Sequence, residues 1–144
     1  MHQPSLPNPR RRFGGVLVAL LGLSGLGMIE DSAAQAAPEA VTLETARAEL
    51  EAGRAMVIDI REPMEHATGV AAGARLLPMR QLGARLAEIP TDPAQPVLLI
   101  CNTQNRSKAT LKALRERGYG HVRYVEGGMS EWARRGWPMV PPTR

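Results

Sequence analysis

The only cysteine of this 144-residue chain heads a polar heptad, Cys101-Asn102-Thr103-Gln104-Asn105-Arg106-Ser107. The apolar run Val97-Leu98-Leu99-Ile100 precedes it, and a helix-patterned stretch, Lys108 to Arg117, follows. A strand, a short loop and a helix start thus meet at one thiol. Backbone N–H groups of such a loop converge with the positive end of the helix dipole, and that field favours thiolate over thiol. Free cysteine titrates near about 8.5, and a helix N-terminus with a nearby arginine lowers this to roughly 3.5–7.5. Four residues separate Cys101 from Arg106, so one turn of loop can bring the guanidinium back toward the sulfur. Ser107 is placed to cap the helix or to donate its hydroxyl to the same pocket. The expected chemistry is nucleophilic attack by a thiolate. The competing reading is a small buried hydrophobe ending an apolar strand.

The loop resembles the active-site loop of the rhodanese family, whose single-domain members often read cysteine, four residues, arginine, serine. Val57-Ile58-Asp59-Ile60-Arg61-Glu62-Pro63 resembles the family's early strand with its Asp-x-Arg-Glu ending. Glu65-His66-Ala67-Thr68-Gly69-Val70-Ala71-Ala72-Gly73-Ala74 resembles the segment after it, which usually ends GHIPGA. Tyr124-Val125-Glu126-Gly127-Gly128-Met129-Ser130-Glu131-Trp132, then Gly136-Trp137-Pro138, is similar to the closing Gly-Gly, Trp and Gly-x-Pro signature. The four motifs stand in the family's order, and the resemblance spans positions 41 to 140. Two departures bear on substrate. Val70, Ala71 and Ala72 replace the usual His-Ile-Pro, and Asn102 and Gln104 stand where many relatives carry a basic residue and a glycine.

The resemblance implies an α/β, rhodanese-like fold, a central parallel β-sheet flanked by helices on both faces. It implies a sulfurtransferase in which Cys101 takes a sulfane sulfur from a small anionic donor such as thiosulfate. A thiol or cyanide then removes the sulfur, and a partner protein is a further candidate acceptor. Under this reading the N–H groups from Asn102 to Ser107, through Thr103, Gln104, Asn105 and Arg106, cradle the persulfide. Arg106 either holds the loop or the substrate's charge, or is an ordinary salt bridge on the helix face. Asp59 and Arg61 are supporting residues, read as a structural ion pair. No cofactor or metal is implied. Two alternatives come from other classes: a non-catalytic persulfide carrier or protein-binding module, and a phosphatase-like enzyme of the related dual-specificity phosphatase fold. Those phosphatases have five residues between cysteine and arginine, against the four found here.

The elements that must position the loop are legible in part. Thr42 is a plausible N-cap for a helix with Leu43, Ala46 and Leu50 on one face and Gly53 as its stop. Met56 to Ile60 reads as a buried strand, Pro63 to His66 as a short helix, and Arg75 to Leu77 as a short strand. Met79, Leu82, Leu86 and Ile89 predict a further amphipathic helix. Strand Val97 to Ile100, helix Arg106 to Arg117 with Gly118 at its end, strand Val122 to Val125 and helix Met129 to Arg135 complete the pattern. Alternating strands and helices argue a covered parallel sheet, with sites outside the carboxyl ends of its strands. Cys101 and Asp59 both fall at such ends. His66 and His121 have no metal-ligand spacing and read as surface or helix-end residues. Gly127 and Gly128 are expected to meet a positive-φ requirement, and Trp132 and Trp137 to anchor the core.

Residues 1–36 read as an export signal, leaving a 37–144 domain. Arg10-Arg11-Arg12 form a positive n-region, Gly14 to Ile29 an apolar core, and Ala34-Gln35-Ala36 a small-x-small cleavage site. The apolar run falls short of the ~20 residues of a spanning helix, so membrane contact is expected only before cleavage. Arg10-Arg11-Arg12-Phe13 also resembles the twin-arginine motif, while the flanks favour the general secretory route. The protein is therefore expected in the periplasm or otherwise outside the cytoplasm. One cysteine cannot form an internal bridge, which argues against a thioredoxin-like oxidoreductase. The net charge of +4 is modest, with Arg106, Lys108, Lys112, Arg115 and Arg117 clustered on one helix. Such a run draws small anions, but few aromatics and no binding motif argue against nucleic acid.

Overall fold

The computed structural model describes residues 38–143; the expected export signal lies outside the described residues. In chain order the elements are β1 (Ala40–Val41), α1 (Leu43–Glu51), β2 (Met56–Asp59), α2 (Pro63–His66), β3 (Arg75–Leu76), β4 (Val97–Ile100), α3 (Asn105–Glu116), β5 (Val122–Val125) and α4 (Gly128–Arg134). The five strands form one parallel sheet in the order β1-β5-β4-β2-β3. β4 lies centrally, between β5 and β2, and all four of its residues are buried.

Alternation along β4 sends its side chains to two cores. Leu98 and Ile100 pack with Val57, Val125, Leu43, Ala46, Met129 and Trp132, so α1 and α4 cover that face. Val97, Leu99 and Cys101 join Ile58, Ile60, Val122, Leu111 and Leu114 on the face covered by α3. The expected α/β architecture, with helices on both faces, is present. Cys101 continues the α3-side row one residue beyond the strand.

Local chemistry accounts for the helix ends. The Thr42 hydroxyl oxygen accepts the Thr45 N–H at 3.2 Å, as an N-cap should. At the C-terminus of α3, Tyr119 N–H donates to Leu114 O and Gly118 N–H to Arg115 O, with Gly118 at φ 93°. This paired pattern satisfies the last carbonyls and needs a left-handed residue that only glycine adopts cheaply. α2 begins at Pro63 and is closed by a reciprocal box between Glu62 and Glu65.

Two expectations are corrected. The Met79–Ile89 stretch is not an α-helix but two 3₁₀ turns, Met79–Gln81 and Leu86–Glu88. Pro78 and Pro90 confine the segment and Gly83 sits at its middle, where it costs about 1 kcal/mol relative to alanine. So short an α-helix nucleates poorly, and i→i−3 bonds suffice to keep Leu82 and Leu86 against the core. The second is the missing strand Ala40–Val41: two residues carry no period, and only pairing with Tyr124 and Val125 defines it.

Candidate active site

Cys101 lies where β4 ends and before α3 starts, and it exposes no surface. The loop around it rises to solvent: Asn102, Thr103 and Asn105 are exposed, Gln104 and Arg106 partly so. Its backbone is oriented by α4. The carbonyl of Cys101 accepts the Met129 N–H at 2.8 Å and that of Asn102 accepts the Ser130 N–H at 2.9 Å. With two carbonyls tied to α4, the loop's N–H groups are left for another acceptor. Among the described residues, none of the six N–H groups from Asn102 to Ser107 donates a hydrogen bond within the protein; the first α3 bond runs from Lys108 N–H to Gln104 O. The donors of buried Ser107 and half-buried Gln104 and Arg106 demand an acceptor, while those of Asn102, Thr103 and Asn105 belong to exposed residues. A run of them at a helix N-terminus forms an anion cradle.

Gly128 makes this close approach feasible. A Cβ there would lie 2.2 Å from Thr103 O and 2.5 Å from Cys101 O, and its φ is +62°. Gly127, at φ +81°, donates its N–H to Gln104 Oε1 at 3.0 Å. The amide oxygen of Gln104 thus straps the loop to α4 instead of facing a substrate. Gly127 and Gly128 meet the positive-φ requirement expected of them.

Ser107 does not cap α3. The N-cap is Gln104, with no side-chain hydrogen bond, and Ser107 is the third helical residue. Its hydroxyl is buried and has no partner among the described residues. Arg106 is paired with Glu65 of α2. Its Nη1 and Nη2 donate to Glu65 Oε2 and Oε1 at 2.7 and 2.6 Å, a bidentate pair across 41 positions of sequence. Glu65 Oε2 also accepts the Glu62 N–H at 2.9 Å. The Arg106 hydrogen bond pulls the Glu65 carboxyl down to about 2 and raises the guanidinium in turn.

Asp59 and Arg61 form a buried ion pair one layer below. Arg61 Nη2 donates to Asp59 Oδ2 at 2.7 Å, and Nε donates to both carboxylate oxygens at 3.0 and 3.1 Å. Arg61 also donates to Gly69 O at 2.9 Å and Glu65 O at 3.4 Å. Among the described residues neither side chain makes a hydrogen bond or ion pair with the Cys101 loop. Through Arg61 they tie to the backbone of α2 and of the turn after it, and α2 carries Glu65. His66 ends α2, as expected of a helix-end residue, but it is buried and not at the surface. Its Nε2 is 3.4 Å from Asp59 Oδ1 without hydrogen-bond geometry. His121 Nε2 pairs with Pro90 O at 2.8 Å. Trp132 is buried and donates to Pro138 O at 2.9 Å, and Trp137 packs edge-on to it at 5.0 Å. Among the described residues no group of His, Cys, Asp and Glu is arranged to hold a metal.

Sequence reasoning missed Glu65 as part of the site. No local pattern ties it to a loop 41 positions away; the only available signal was its place in the capping box. A separate groove of about 310 Å³, lined by Met79, Leu82, Leu86, Ala109, Ala113 and Leu114, does not include Cys101.

Comparison with known proteins follows this geometry. The sequence model of the rhodanese-like domain matches residues 42–135. A protein of Allochromatium vinosum named sulfurtransferase is 39% identical over 87 residues, covering 60% of this chain and 79% of that protein. A rhodanese-related protein of Thermoplasma volcanium superposes with a TM-score of 0.61 at 27% identity, over 73% of this chain and 100% of the other. A thiosulfate sulfurtransferase of Pseudomonas aeruginosa gives a TM-score of 0.63 at 27% identity, over 73% of this chain and 21% of that longer one.

Proposed function

Since this chain belongs to the rhodanese-like domain family, we propose that it is a sulfurtransferase that works through a persulfide on Cys101. The relative named sulfurtransferase supports the reaction class. The observation that carries the mechanism is the run of six N–H groups, Asn102 to Ser107, with no acceptor within the protein. They belong to the residues that link the thiol at the end of β4 to the start of α3.

The thiolate of Cys101 attacks the outer sulfur of a donor such as thiosulfate. The new S–S bond forms as the donor's own S–S bond breaks, and sulfite leaves with the electron pair. The terminal sulfur on Cys101 rests in the N–H cradle until a thiophile, a thiol or cyanide, takes it. This is double-displacement covalent catalysis and needs no cofactor. Cys101 exposes no surface, so the cradle must open by about the width of one sulfur atom for each transfer. That burial also favours a second reading, a carrier that holds a persulfide and yields it only to a docked partner.

A phosphatase reading is less well served. Four loop residues make a narrower cradle than five. The carboxylate hydrogen-bonded to Arg106, Glu65, is held ionised down to about 2 and is a poor general acid. We place the enzyme outside the cytoplasm as residues 37–144, after removal of residues 1–36.

Intact mass of the purified protein before and after thiosulfate tests the proposal. One added sulfur, absent in Cys101→Ser, is expected. A protein that acquires no sulfur from any donor would overturn it, and one that acquires sulfur but never releases it to cyanide or thiols would favour the carrier.

A further inference from the structure

The groove of about 310 Å³ that lies apart from Cys101 has a lining the sulfur chemistry does not use. On α3 it is lined by Ala109, Thr110, Ala113 and Leu114, and by Arg117 at the helix cap. Thr110, Ala113, Leu114 and Arg117 stand at i, i+3, i+4 and i+7, the spacing of one helix face. Met79, Leu82, Gly83 and Leu86 of the 3₁₀ segment supply the rest. Small residues keep the groove open: alanines at 109 and 113, and Gly83, where a Cβ would meet nothing within 4 Å.

Only two of the lining side chains are polar, and neither has a partner among the described residues. Thr110 is 8% exposed, and its hydroxyl makes no hydrogen bond there. Arg117 is exposed, and its guanidinium makes no ion pair or hydrogen bond there, whereas Arg85 and Arg115 are held by Glu88 and Glu39. Around this end of α3, Lys112, Arg115 and Arg117 outnumber Glu116 and Glu39, so the end is positive. The dipole of α3 opposes an anion at its C-terminus, but the Gly118 and Tyr119 N–H groups already satisfy the Arg115 and Leu114 carbonyls.

We propose that this groove binds a small alkyl carboxylate, with the chain on Leu82, Leu86, Ala113 and Leu114 and the carboxylate on Arg117. Size and charge both point there. Ligand pockets run from about 300 to 1,000 Å³, so this one, at the lower end, takes a small molecule. An ammonium headgroup would meet Arg117 with like charge, and a neutral one would leave it unpaired. Thr110 lies two helical turns from Arg117, about 10 Å along the axis, and its free hydroxyl keeps water or a terminal polar group of the ligand at that end.

The full-length chain, labelled on its methionine and leucine methyls, is titrated with octanoate, octanol and butyrate and followed by NMR. Octanoate should bind saturably and shift Met79, Leu82 and Leu86. Octanol should bind more weakly, and butyrate weaker than octanoate by about fourfold for each methylene it lacks in the groove. Arg117→Gln removes the charge at an exposed position; it should weaken octanoate about two- to fivefold and leave octanol unchanged. Ala113→Leu fills the groove with a good helix former and should weaken octanoate and octanol alike, by about fourfold or more. The inference is overturned by the absence of a saturable shift at the three residues, or by octanol binding as tightly as octanoate to the wild type. Octanoate affinity unchanged in a folded Arg117→Gln or Ala113→Leu overturns it as well. The wild-type comparison of headgroup and chain length decides the matter even where a variant fails to fold.

Discussion

At the scale of single residues, Cys101 joins the polar loop Asn102 to Ser107 to the Ile58, Leu99 and Leu111 core. Cys101→Ser keeps the volume but puts a hydroxyl in that core, at a cost of about 1–3 kcal/mol if it stays unpaired. Sulfur transfer should vanish while a cooperative denaturant transition remains at slightly lower midpoint; transfer near the wild-type rate would remove Cys101 from the mechanism. Gly128 is the second critical residue. Alanine there would press its methyl into the backbone of Thr103, Cys101 and Asn102, and would also sit at φ +62°. Left-handed strain and overpacking each cost about 1–3 kcal/mol, so Gly128→Ala should lose about 2–6 kcal/mol in urea unfolding and slow persulfide formation as the loop shifts. Wild-type stability and rate in this variant would show that α4 does not shape the loop.

At the scale of elements, the loop from Cys101 to Ser107 has two attachments. α4 binds the loop's carbonyls from one side, and α2 binds Arg106 from the other through Glu65. The α2 attachment has a defined acid limit. Glu65 is depressed from 4.5 to about 2, chiefly by its hydrogen bonds to Arg106. A carboxylate with a lowered folded-state pKa adds stability that is fully present above its unfolded value and is lost as pH falls through the folded one. The stability difference between wild type and Glu65→Gln should therefore be constant above pH 4.5 and shrink toward zero on acidification to about 2. Denaturant midpoints measured across that window check this. A difference that changes between pH 5 and 8 would assign it to another group. Glu65 is about one-third exposed, so the effect is expected to be modest.

At the scale of the whole molecule, the parallel sheet brings the carboxyl ends of β2 and β4 side by side, with Asp59 paired to Ile100 in register. One end of the sheet thus collects the buried Asp59–Arg61 pair, α2 and the Cys101 loop. The parallel arrangement explains why residues 41 positions apart form one clamp: the intervening chain crosses over and returns in the same direction. The proposed export belongs to this scale as well. The mature chain should begin at Ala37 and be recovered as soluble protein outside the cytoplasm. N-terminal sequencing of material from the native host checks it, and full-length protein in the membrane fraction would point to an anchor. Ala40 pairs with Tyr124 in β1, three residues beyond that cleavage point, so the folded domain accommodates the cut.

The sequence alone was sufficient for whatever depends on near neighbours. Apolar runs announced β2 and β4, because a strand buried on both faces is nearly continuously hydrophobic. Thr42, Pro63 and Gly118 marked helix ends through their own backbone chemistry, and the cysteine–four–arginine spacing marked the loop. The Asp59–Arg61 pair was legible too, since only one residue separates its members. Tertiary structure decided the rest. Proline and glycine placement overrode the periodicity of Met79 to Ile89, and partner strands alone defined β1. Ser107 looked like a cap but fell inside the helix, as the start of α3 depends on where α4 holds the loop. Above all, Arg106 carries its formal charge in the sequence, but whether that charge is free or paired depends on Glu65. Only folding brings that carboxylate to within 2.6 Å.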